Sequence, residues 1–203
     1  MKLTVTTFLT LDGVMQAPGG SEEDESGSFD QGGWQAPYAD DEEFGRFMDE
    51  TLAAADAFLF GRRTYEIFAA FWPQVTDEAD PVATKLNTLP KYVASTTLER
   101  VEWQGATLLR GNVPEEVAKL KRQPGNQLQV HGSGRLAQTL MEHELIDEYS
   151  LLIYPVVLGA GKRLFADGVA PAALRLVESR TTGQGVAIHV YQAAGKPTYG
   201  SVA

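Results

Sequence analysis

Gly61-Arg62-Arg63-Thr64 ends the apolar run Ala57–Phe60 and opens a helical pattern at Tyr65, Phe68 and Ala69. That order reads as a buried strand, a tight turn and a helix start. The unpaired N–H groups of a helix's first turn favour anions, and two arginines add formal charge. The chemistry this suggests is phosphate binding; a plain strand-to-helix turn with two solvated arginines is the alternative. Two further stretches carry related chemistry. Ser95-Thr96-Thr97 follows the run Tyr92–Ala94, and Gly132-Ser133-Gly134-Arg135 follows Leu128–Val130. Small residues let backbone N–H groups approach phosphate oxygens, while hydroxyls and guanidinium groups complete the coordination. Three such turns together suggest a ligand with several phosphates, such as a dinucleotide.

The elements that must position these turns follow from periodicity. Leu3, Val5 and Phe8 to Leu11 read as a first strand, stopped by Asp12-Gly13. Gln16 to Gly33 is rich in Gly, Ser and acid, with Glu22-Glu23-Asp24-Glu25 at its middle. Its length predicts a mobile segment or a lid. Asp40 is expected to start a helix, with Phe44, Phe47, Met48 and Leu52 on one face. A short helix is expected between Asp77 and Asn87, and another from Pro114, with Glu115 and Glu116 in its first turn and Lys119, Lys121 and Arg122 in its last. Tyr149–Leu158 reads as a central strand, broken by Gly159-Ala160-Gly161. Leu174–Val177 and Val186–Tyr191 read as a closing antiparallel pair, and the chain after Ala194 as a frayed tail. Strand and helix alternate over the first two-thirds. This predicts a three-layer α/β/α fold around a mostly parallel sheet, a single domain over 1–194, and a ligand beyond the carboxyl ends of the strands.

Composition narrows the function. The 203 residues are 43% hydrophobic and 22% charged, enough for a real core, and carry a net charge of −10. That charge opposes general binding to nucleic acid or anionic membrane, without forbidding a local cationic pocket. The absence of cysteine excludes disulfides, thiol catalysis and cysteine-ligated zinc. No stretch reads as a membrane span or a signal peptide, so a cytoplasmic location is expected. His131, His143 and His189 do not pair at metal-ligand spacing, and no metal is expected.

Thr10-Leu11-Asp12-Gly13, Phe60–Glu66, Lys91–Ser95, His131–Leu136 and Pro155–Phe165, in that order, resemble the dihydrofolate reductase-like superfamily. The closer resemblance is to the reductase domain of bacterial riboflavin-biosynthesis enzymes, the RibD C-terminal domain family. The resemblance implies an NADPH-dependent reductase with an eight-stranded sheet, a homodimer, and a small flat heterocycle, pterin-like or pyrimidine-like, as substrate. It puts Gly61, Arg62, Arg63 and Thr64 near the cofactor phosphates, with one arginine on the adenosine 2′-phosphate. Ser95 and Thr96 would line the adenosine side, and Gly132, Ser133, Gly134, Arg135 and Leu136 would hold the pyrophosphate. Asp12 to Val14 would begin the loop over the nicotinamide. Val14, Phe68, Tyr154 and Gly159 are candidates for the substrate side, although Phe68 and Tyr154 also read as core and Gly159 as a turn. For proton delivery the helix after the loop offers Asp40, Asp41, Glu42 and Glu43. Asp40 is the candidate, against its reading as a helix cap, and Asp12 competes, against its reading as a turn residue. With no definable proton donor, a non-catalytic NADP(H)-binding module on the same fold is the second hypothesis.

Overall fold

The computed structural model describes residues 1–77 and 79–201. Glu78, inside the helix expected over 77–87, and the last two residues of the expected tail lie outside them. The described residues form eight strands, β1 (Lys2–Thr10), β2 (Ala55–Gly61), β3 (Lys91–Ala94), β4 (Ala106–Leu109), β5 (Gln127–His131), β6 (Glu148–Tyr154), β7 (Leu174–Thr181) and β8 (Ala187–Ala193). The five α-helices are α1 (Glu42–Ala53), α2 (Arg62–Phe71), α3 (Pro81–Thr88), α4 (Val113–Lys121) and α5 (Gly134–Glu142).

The strands make one sheet in the order β4-β3-β2-β5-β1-β6-β8-β7. The first six run parallel, and β8 is antiparallel to both β6 and β7. This is the dihydrofolate reductase-like arrangement, a mostly parallel sheet closed by an antiparallel pair, with helices around it. The apolar run of β2 explains its central place: Phe58, Leu59 and Phe60 are all fully buried, which requires cover on both faces. On one face Leu3, Val5, Leu59, Leu128 and Val130 pack with Val117, Leu120, Ala137 and Leu140 of α4 and α5. On the other, Phe58 and Phe60 pack with Leu52 of α1, Tyr65 of α2 and Leu86 of α3.

Some boundaries differ from expectation. The α1 cap is Asp41, not Asp40: Asp41 Oδ1 accepts from the N–H groups of Glu43 and Phe44 at 3.0 and 3.1 Å. Of two adjacent aspartates, the second has the extended backbone that a cap needs. β6 stops at Tyr154 rather than Leu158, because Pro155 has no N–H for the ladder. Beyond it Val157 is 67% exposed.

The acidic loop is fastened at several points. Trp34 Nε1 donates to the Gln16 carbonyl at 2.8 Å, Gln16 Nε2 donates to the carbonyls of Asp24 and Ser26 at 2.9 Å each, and Phe29 is buried against Val14 and Ala17. Among the described residues no helix is long and apolar enough to cross a membrane.

Candidate functional site

β3, β2 and β5 are neighbours, so their carboxyl ends bring the three turns of interest side by side. Over those ends and that of β1 lies a cleft of ≈ 1940 Å³. Gly61, Arg62, Arg63, Thr64, Ser95, Thr96, Gly132, Ser133, Gly134, Arg135 and Leu136 all line it.

Its wall is built from two helix starts. Gly61 precedes α2 and Ser133 precedes α5, and neither helix has a side-chain cap on its first turn. The Ser133 hydroxyl faces away from that task. It accepts from the Gly61 N–H at 3.0 Å and donates to Thr64 Oγ1 at 2.9 Å, locking the two helix starts together. Reaching this position takes two successive left-handed residues, Gly132 (φ 59°) and Ser133 (φ 57°). For the serine that backbone costs about 1 kcal/mol or more, a strain typical of ligand-binding turns. Arg62, Arg63 and Arg135 add charge beside the open N–H groups. Together these donors fit the phosphates of a dinucleotide.

The same cleft has an apolar lining as well: Phe8, Met48, Leu52 and Phe68 line it along with Thr6 and His131. Thr6 faces His131 across the β1–β5 ladder. The Thr6 Oγ1 is buried and has no hydrogen-bond partner among the described residues. Burial lowers the His131 pKa to about 4, so its ring is neutral at pH 7, with Nε2 against Gln129 Oε1 at 3.1 Å.

A profile of the RibD C-terminal domain matches residues 1–188. The chain belongs to that family. The uncharacterized protein YyaP of Bacillus subtilis is 36% identical over 142 residues, covering 69% of this chain and 75% of YyaP. YwjB of the same organism is 28% identical over 138 residues, covering 68% and 74%. Among solved structures, a protein of Shewanella sp. PV-4 provisionally assigned to riboflavin biosynthesis superposes with a TM-score of 0.66 at 21% identity, covering 96% of this chain and 99% of its own. A pyrimidine reductase-like protein of Corynebacterium diphtheriae gives 0.65 at 10% identity, covering 95% and 92%. At these identities the superpositions speak to the fold.

Within this family fold, several predicted residues lie away from the cleft. Asp40 is exposed, and its carbonyl accepts from Gln184 Nε2 at 3.0 Å. Asp12 is a clasp between strand ends. Its carboxylate accepts from the Thr10 hydroxyl (2.6 Å) and from the N–H groups of Gly159 (2.8 Å) and Leu158 (3.2 Å), with Arg163 3.5 Å away. The Thr10 hydrogen bond leads in lowering its pKa to about 2, against a smaller opposing effect of burial. A carboxyl so strongly ionised is a poor proton donor at neutral pH. Gly159 is the other half of this clasp. Val14 is fully buried in the patch with Ala17 and Phe29. Tyr154 is fully buried too, edge-on to Phe8, Trp34 and Tyr38 at 5.4–5.8 Å. Ser95 lines the cleft, but its hydroxyl accepts from the N–H groups of Thr97 and Leu98 and so shapes the turn.

Sequence reasoning missed Thr6 as a lining residue and the loop pair Lys162 and Arg163. Lys162 and Arg163 follow Gly161, at φ 132°, where a Cβ would stand 2.5 Å from Val14 Cγ1. Only glycine fits there, and it brings the two cations to the cleft's edge. The glycine pair was a visible signal; its meaning was not. A separate depression of ≈ 1140 Å³ between α2 and α3 holds none of the predicted site residues.

Proposed function

We propose that this chain is an NADPH-dependent reductase acting on a small, flat heterocycle of pterin or pyrimidine type. One observation carries the reading: two uncapped helix starts and three arginines converge beside a mostly apolar slot with an unpartnered hydroxyl. The first part suits a dinucleotide with an extra phosphate, and the second suits a ring with a few polar edge atoms. NADPH supplies a hydride when bound; the chain's task is to hold two rings in contact and exclude water. Arg62, Arg63 and Thr64 hold the adenosine-side phosphates, and the 132–136 turn holds the pyrophosphate. Phe8, Met48, Leu52 and Phe68 sandwich the substrate ring over Thr6, whose hydroxyl gains the partner it lacks.

The second reading is a non-catalytic NADP(H)-binding module. It is favoured by the placement of Asp12 and Asp40, neither of which reaches the cleft. Calorimetry with NADPH and NADH tests both readings at once, followed by NADPH oxidation with a panel of pterins and pyrimidines. Tight, NADPH-selective binding with turnover is the expected result. Binding without consumption across the panel selects the module, and no binding of either nucleotide overturns both.

A further inference from the structure

The cation pair at the top of the cleft already holds an anion. Lys162 Nζ contacts Asp24 Oδ2 at 2.5 Å, and Arg63 Nη1 pairs with Asp24 Oδ1. Ser26 completes the cluster. Its hydroxyl lies 2.6 Å from Asp24 Oδ1, 2.7 Å from Arg63 Nη1 and 2.5 Å from Lys162 Nζ. The Asp24 side chain is 11% exposed, while those of Arg63 and Lys162 remain about half exposed, at 49% and 50%. The cations come from distant parts of the sheet. Arg63 stands at the end of β2, Lys162 in the loop after β6, and β5 and β1 lie between those strands. Asp24 therefore spans the strand ends, where the uncapped turn at Ser133 also lies.

We propose that Arg63, Lys162 and the Ser26 hydroxyl form an anion subsite for a phosphoryl group of the ligand, and that Asp24 is its tethered internal occupant, which the ligand displaces. The inference rests on the reading of this cleft as a phosphate site. It adds Lys162 and Ser26, which lie outside the three strand-end turns, and a competitor within the chain.

The chemistry of exchange is balanced. A carboxylate offers two oxygens and one negative charge, whereas a phosphoryl group offers three oxygens and up to two charges. Against that, Asp24 is attached to the loop, and its local concentration about the cations is high. Desolvation works against the Asp24 charge, and the contacts from Lys162, Ser26 and Arg63 outweigh it, holding the carboxyl well below the ordinary range. Asp24 thus stays ionised at neutral pH as a standing competitor. Its loop keeps other anchors, since Gln16 grips the backbone at Asp24 and Ser26 and Phe29 is buried. The loop keeps its fold when the carboxylate is neutralised.

The test compares binding of inorganic pyrophosphate and of NADPH to the wild type, Asp24→Asn and Asp24→Asn/Lys162→Met, with melting temperature as a check on folding. Asp24→Asn keeps the shape and removes the charge. It is expected to tighten pyrophosphate by about tenfold, the scale of one charge-assisted contact, and the added Lys162→Met is expected to erase the gain. Unchanged or weaker pyrophosphate binding to Asp24→Asn overturns the subsite and makes Asp24 a strut for the loop. A gain that survives Lys162→Met removes Lys162 from it. If pyrophosphate follows the expected pattern but no form binds NADPH, the subsite stands and the choice of NADPH falls.

Discussion

Helices α1, α3 and α4 begin on Asp41, Asp80 and Asn112, and each of these side chains accepts from an N–H of its own first turn. Helices α2 and α5 begin on Gly61 and Ser133, and neither is capped this way. The capped helices give the cleft only apolar side chains, Met48 and Leu52 from α1, Val82 and Leu86 from α3, and Val113 from α4. The uncapped ones give it Arg62, Arg63, Thr64 and Arg135. An N-cap contributes about 1 kcal/mol to stability. Leaving two helices without one gives up that stabilisation where a ligand can supply the missing acceptors. The frame is thus satisfied internally, and the cleft is left to be satisfied by what binds.

The comparison breaks most visibly at the arginines. Arg62→Ala/Arg63→Ala is expected to weaken NADPH about 100-fold, two charge-assisted hydrogen bonds' worth, and NADH about tenfold less than that. The melting temperature should hardly move, because both side chains are exposed. Equal losses for both nucleotides would remove the 2′-phosphate from this site.

His131 gives the next effect, through pH. Its folded pKa of about 4 lies below the ordinary 6.5, so the unfolded chain binds more protons between those values. Stability from this group is complete above pH 6.5 and is lost as pH falls through 4. The interval from 6.5 to about 4 caps the loss at about 3 kcal/mol, and water reaching the part-buried residue lowers it further. His131→Gln should flatten the melting curve across that window. An unchanged slope would show that the imidazole is not held neutral by the cleft floor.

Gly61→Asp sharpens the contrast by making a cleft helix resemble a frame helix. Gly61 has φ −75° and ψ 163°, open to any residue, and a Cβ there would meet Ser133 and Leu136 only at ordinary contact, 3.6–3.7 Å. The new carboxylate would cap α2 and repel phosphate. NADPH binding should fall about tenfold, or 1.4 kcal/mol, while the melting temperature holds or rises. Full nucleotide affinity with a capped α2 would show that its N–H groups take no part.

The same contrast explains what the sequence made legible. Burial pattern, glycine punctuation and small-residue turns are local signals, and they located the strands beside the cleft and the three turns that line it. The Asp12 clasp, the Asp24 contacts and the Thr6 floor depend on partners up to 151 residues away, which no local pattern encodes. Asp40 was one residue from the true cap because adjacent aspartates differ only in backbone geometry, and that is set by how the loop enters α1. Of the substrate-side candidates Phe68 lines the cleft, while Val14, Tyr154 and Gly159 do not. Val14 is buried with Ala17 and Phe29, and Tyr154 with Trp34 and Phe47, contacts that no local pattern encodes.

Asp41→Ala supplies the smallest effect and the necessary control. The substitution removes an acceptor for two N–H groups at a part-buried helix start, which costs about 1 kcal/mol, or about 2–4 °C for a chain of this size. Asp41 does not line the cleft, and α1 meets it only at Met48 and Leu52, about two and three turns further on. Nucleotide affinity should therefore be unchanged while urea unfolding shifts to lower concentration. The opposite pattern, stable protein with weakened binding, would mean that the α1 cap sets the cleft's width through Met48 and Leu52. The division between a self-satisfied frame and a ligand-satisfied cleft would then fail at its simplest point, because a frame contact would be doing the work assigned to the open helix starts.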